Sequence, residues 1–90
     1  MVGKLLNMIT SAGFTKIECD GIELIKVDFE DYEHKGIVFI YQLPYQKDYN
    51  FLVGFLDEYS GFKTSSRGVN SKKEVLQILL DVRENGFGKY

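Results

Sequence analysis

An α+β domain, with a four- to five-stranded, mostly antiparallel sheet flanked by an N-terminal and a C-terminal helix, is predicted by three observations. Apolar residues recur at helical spacing at the two ends of the chain: Val2, Leu5, Leu6, Ile9 and Ala12, then Val75, Leu76, Leu79, Leu80 and Val82. Between them the pattern changes to alternation and to β-branched and aromatic runs, the strongest being Ile37–Tyr41. Asp20-Gly21 is a hairpin signal that makes the first two strands antiparallel.

The elements follow in order. The first stripe predicts a helix over 2–12, stopped at Gly13, where a left-handed residue ends a helix readily. Residues 15–19 alternate, with Ile17 and Cys19 on one face, and turn at Asp20-Gly21 into a second strand over 23–29. In that strand Glu23, Ile25, Val27 and Phe29 oppose Leu24, Lys26 and Asp28, and the apolar Ile22 and Leu24 predict a bulge or an end buried on both faces. The polar stretch 30–36 is a connecting loop. Ile37–Tyr41 reads as a central strand covered on both faces, closed by Pro44. After a polar loop over 45–50, a fourth strand alternates over 51–56, and a short fifth is expected at 62–65. Ser71 with Glu74 three residues later is a capping box that opens the last helix; Gly86 ends it, with Phe87 placed to fold back onto Val82.

Ninety residues allow one domain over 1–90 with one small core. Hydrophobic residues make up 44% and aromatics 14%, while the charged share of 27% is ordinary, so the chain has the material to fold. The single cysteine, Cys19, excludes an internal disulfide, and the lone histidine, His34, leaves no Cys/His set for a structural zinc. With no export signal and no apolar run of membrane-spanning length, the expected compartment is cytoplasmic, without membrane contact.

Net charge is -2, which supplies no global attraction to nucleic acid, but its distribution is uneven. Residues 1–33 carry Lys4, Lys16 and Lys26 against seven acids, a balance of -4, and the remainder is +2. Asp28, Glu30, Asp31 and Glu33 cluster as hard-cation ligands do, without the glycine and closing glutamate of an EF-hand; they read as a solvated acidic patch able to meet a basic partner. No glycine-rich phosphate cradle is present. Cys19, beside Ile17 on an apolar phase, reads as a buried thiol without a thiolate–imidazolium partner in His34, so neither catalytic residues nor a cofactor is expected.

Two surfaces remain. Tyr32, Tyr45 and Tyr49 fall in polar loops; with Glu30 and Asp31 they have the composition of a protein-binding surface. The other is the basic stretch Lys63, Arg67, Lys72 and Lys73, which meets no acid before Glu74. Within it Gly68-Val69-Asn70-Ser71-Lys72-Lys73-Glu74-Val75 resembles the start of the last helix in double-stranded RNA-binding domains, where a glycine, a spacer and Ser-Lys-Lys precede an alanine-rich helix. The resemblance implies that Lys72, Lys73 and the helix N-terminus hold phosphates across a groove. It is confined to those residues: the family's Gly-Pro-x-His loop is missing, and the helix carries Leu76, Ile78, Leu79 and Leu80 where alanines belong. The expectation is a non-enzymatic interaction protein that binds another protein. Regulators and inhibitors of this size, some encoded by phages or mobile elements, set that prior. Duplex nucleic-acid binding through residues 63–73 is the alternative, and an exposed edge strand with a small core makes a homodimer plausible.

Overall fold

Both terminal stripes fold as helices. The computed structural model describes residues 2–21, 23–43, 47–58 and 63–90, with residues 2 and 63–65 in backbone only. Helix α1 covers Val2–Ser11 and α2 covers Lys72–Asn85. Five strands lie between them: β1 (Lys16–Asp20), β2 (Leu24–Asp28), β3 (Gly36–Gln42), β4 (Phe51–Asp57) and β5 (Lys63–Val69). They form one antiparallel sheet in the order β1-β2-β3-β4-β5, a meander in which each strand pairs with its successor. The fold class is as predicted. The fifth strand runs longer than expected because β4 supplies a partner for each residue from Lys63 to Val69.

The caps explain where α2 begins and ends. Ser71 is extended, and its hydroxyl accepts the Glu74 amide at 3.1 Å. The Glu74 carboxylate reaches back to the Asn70 amide at 3.3 Å, one residue earlier than the usual reciprocal bond. At the other end Gly86 adopts a φ of 86° and donates its amide to the Val82 carbonyl at 2.8 Å. The His34 ring would lie 2.9 Å from any Cβ there, so glycine is required twice over.

One core lies on one face of the sheet. Ile25, Val27, Phe29, Val38, Ile40, Phe51, Val53, Phe55 and Val69 face it from the sheet side, and Leu5 and Ile9 of α1 and Val75, Ile78, Leu79 and Val82 of α2 close it. At one end Phe14, Phe29, Tyr32 and Phe87 meet ring to ring at 5.5–5.7 Å. Arg83 joins the two helices there: its Nη1 donates to the carbonyl of Ala12 at 2.7 Å and its guanidinium lies 4.7 Å from the Phe14 ring centroid. On this same face, toward the β5 edge, Tyr90 stacks on Phe55 at 4.7 Å, with Arg67 5.5 Å from its ring.

Two expectations are corrected. Ile37–Tyr41 is central but is not covered on both faces: Val38 and Ile40 are buried, while Tyr41 on the opposite face is 38% exposed, because both helices lie on the Val38 side. Cys19 is exposed, not buried. It shares the phase of Ile17 and Ile25, but β1 is an edge strand, and at its Asp20 end the helices no longer cover that phase.

Candidate interaction surface

The register assembles the side of the sheet away from the helices. Three rows cross it: Asp20, Leu24, Tyr41, Leu52 and Gly68; Glu18, Lys26, Phe39, Gly54 and Ser66; and Lys16, Asp28, Ile37 and Leu56. The three middle strands therefore place Leu24, Ile37, Phe39, Tyr41, Leu52 and Leu56 on one surface. An antiparallel sheet with one solvated face ordinarily alternates apolar inward and polar outward. Here the outward positions of β3 are all apolar, and no described helix or strand lies over them. The side chains shield one another across strands, so all but Tyr41 are half-buried.

Charge surrounds this patch on the β1–β2 side. Lys16 Nζ meets Glu30 at 3.0 Å and Asp31 at 3.4 Å, and Lys26 meets Glu18 at 3.7 Å. The Glu30 hydrogen bond, with Asp31 beside it, holds the Lys16 ammonium above the ordinary lysine range. Asp28 Oδ1 accepts the Glu30 amide at 2.9 Å, which fixes the turn leaving β2. Asp28, Glu30 and Glu58 border a notch of about 230 Å³ whose floor is Ile37, Leu56 and Gly36.

Of the loop tyrosines, Tyr32 and Tyr49 sit at opposite ends of β3. Tyr32 is half-buried; its hydroxyl donates to the Gly13 carbonyl at 2.8 Å and its ring packs against Phe14 and Phe29, so it ties the β2–β3 loop to the end of α1. Tyr49 is half-buried too: a Cβ at position 68 would lie 2.5 Å from its ring, so glycine there lets the ring rest on the β5 backbone at the margin of the outward face. Tyr45 lies outside the described residues. Glu30 and Asp31 are exposed, as expected, and engaged with Lys16.

The basic stretch is spread out. Lys63 opens β5 opposite Asp57, six residues or about 20 Å of strand from Val69, beyond which Lys72 and Lys73 begin α2. Arg67 shares the phase of Val53 and lies over Tyr90. At the start of α2 the Glu74 carboxylate accepts the Asn70 amide, which adds a negative charge beside Lys72 and Lys73 at the helix N-terminus. Cys19 and His34 are likewise apart: Cys19 is three positions along β1 from its Lys16↔Asp28 end, whereas His34 follows β2 beyond that end and packs against Gly86.

A groove of about 460 Å³ between β5 and α2 is lined by charges of both signs, including Arg67, Glu74, Asp81 and Lys89. Asp81 accepts the Tyr90 hydroxyl at 2.6 Å and the Asn85 amide at 2.8 Å; those bonds hold its carboxyl below the ordinary range. Burial, then the bond to Asp81, pushes the Tyr90 hydroxyl up to about 12. No family model, curated protein or solved structure matches the chain. What the fold and surface define is a class: an α+β meander domain with a one-sided core, whose second sheet face is apolar at its centre and acidic at one margin.

Proposed function

We propose that this protein is a non-catalytic binding module that recognises another protein through the outward face of β2–β4. The observation that carries the reading is the run Ile37, Phe39 and Tyr41 with Leu24, Leu52 and Leu56 beside it, an apolar surface on a strand whose opposite side already completes the core. Water contact at these positions is unfavourable by roughly 25 cal/mol per Å² of apolar area, so covering them favours association. Phe39 and Tyr41 have the aromatic character of residues that dominate binding energy at the centre of interfaces. Regulation or inhibition of the bound protein is the biological role that fits such a module.

The test is site-specific photocrosslinking in cells that express the protein. A benzophenone amino acid at position 41 should capture a protein adduct that survives nuclease treatment, whereas the same group at Gln77, on the exposed side of α2, should not. Phe39→Ser should abolish the adduct while leaving the fold intact. Equal capture from both positions, or an adduct removed by nuclease, would refute the reading.

A further inference from the structure

We infer that the partner presents a short segment bearing apolar side chains and, about four extended residues away, a lysine or arginine that enters the notch between Asp28 and Glu58. This rests on the reading of the outward sheet face as the binding surface and adds the chemistry of its occupant. Two observations select that chemistry.

The first is size. The face spans four inter-strand steps, about 19 Å, and six residue steps along β3, about 20 Å, or roughly 400 Å² in plan. A stable pair of globular partners usually buries about 800 Å² on each side, so a second copy laid face to face would be held weakly. A single strand or helix crossing the sheet matches the dimensions.

The second is charge. Lys16 and Lys26 are already engaged by Glu30, Asp31 and Glu18. Asp20, Asp28 and Glu58 have no cation within 4.0 Å among the described residues, and Lys35, adjoining Glu58 at the start of β3, has no acid within that distance. The margin is therefore net acidic, and its carboxylates stand over an apolar floor formed by the cross-strand pair Ile37 and Leu56. A long aliphatic stem ending in a cation suits that combination: the stem lies on the floor and the head meets Asp28 and Glu58. From this notch to the Leu24, Tyr41 and Leu52 row is four residues along β3, about 14 Å, which sets the spacing of the partner's cation from its apolar anchor. The same carboxylates repel a phosphate backbone, which disfavours single-stranded nucleic acid on these aromatics.

Amide NMR titration of the whole chain tests this with a short peptide of alternating leucine and serine ending in two arginines, its glutamate counterpart, and oligothymidylate. The arginine peptide should shift the amides of Ile37, Phe39, Tyr41 and Leu56. Its affinity should fall about threefold to tenfold in the Asp28→Asn/Glu58→Gln variant, and should also weaken as salt rises from about 50 to 300 mM. Equal binding of both peptides at this face would overturn the charge assignment while leaving the face as the binding surface. Oligothymidylate binding there, or an arginine peptide that shifts only other amides or none, would overturn the inference. Loss of the position-41 crosslink is a separate result and bears on the surface itself.

Discussion

Val38 and Phe39 are neighbours on the central strand with side chains on opposite faces, so replacing each by alanine separates the core from the outward surface. Val38 is fully buried. Its alanine variant loses the equivalent of two methyl groups, about 0.8 kcal/mol each, and leaves a cavity in a close-packed interior, for a total of about 2–3 kcal/mol. Phe39 stands between Lys26 and Gly54 with no described element above it, and only its cross-strand contacts are lost, a term of about 1 kcal/mol or less. A domain of this size holds roughly 5–13 kcal/mol in all, so both variants should fold and be measurable.

Urea denaturation followed by far-ultraviolet circular dichroism gives the comparison, with an unchanged slope required for the two midpoints to be compared. The expected result is a loss for Val38→Ala at least twice that for Phe39→Ala, with only Phe39→Ala losing the crosslinked partner. Should Phe39→Ala cost as much as Val38→Ala, the outward face is covered in the free protein and the assignment of sides fails. A midpoint that then rose with protein concentration would identify a second copy as the cover.

Ser71→Ala should lower stability by about 0.5–2 kcal/mol through loss of the bond to the Glu74 amide, whereas Ser71→Asp should retain most of it; denaturant midpoints decide. Arg83→Met keeps the aliphatic packing but removes the bond to the Ala12 carbonyl and the contact with Phe14, and should destabilise by about 1.5–3 kcal/mol; a loss below about 0.5 kcal/mol would show that the two helices are not joined there. Because the folded Tyr90 hydroxyl is raised to about 12 from an ordinary value near 10, its contribution is complete below pH ~10 and is lost as pH rises through about 12. Asp81 has the opposite sign: its depressed folded pKa gives stability above the ordinary carboxylate range that is lost as pH falls through the folded value. Tyrosinate absorbance in an alkaline titration should show one late-ionising tyrosine that Tyr90→Phe removes, and the same variant should weaken the acid-side contribution of Asp81.

The elements were legible because their signals are local. Ser71 with Glu74, Gly86 and the two helical stripes mark boundaries by backbone bonding and side-chain phase, and they recur in α1 and α2 nearly as read. The predicted stripe of α2 differs in detail: Ile78 is buried, while Leu76 and Leu80 are half-buried at its flanks. The exposure of Cys19 and the half-burial of Tyr32 were not legible for a common reason, since exposure in each case depends on where distant elements end. The carbonyl of Gly13 and the ring of Phe14 draw Tyr32 inward, and the reach of the helices over β1 stops short of Cys19.

The outward face was hidden by an ambiguity that periodicity alone does not resolve. A continuous apolar strand is what a sheet covered on both sides requires, but it is equally what a one-sided core with a sticky second face produces. Counting elements removes the ambiguity. Five strands at about 4.8 Å make a sheet about 19 Å wide between its outer strands, and two helices each about 10 Å across cover one such face and no more. The described residues supply two helices, and Leu5, Ile9, Val75, Ile78, Leu79 and Val82 commit both to the same core. Once they are placed together, Ile37, Phe39 and Tyr41 have no described element of this chain left to meet. That deficit is the physical ground for proposing a binding surface on β3.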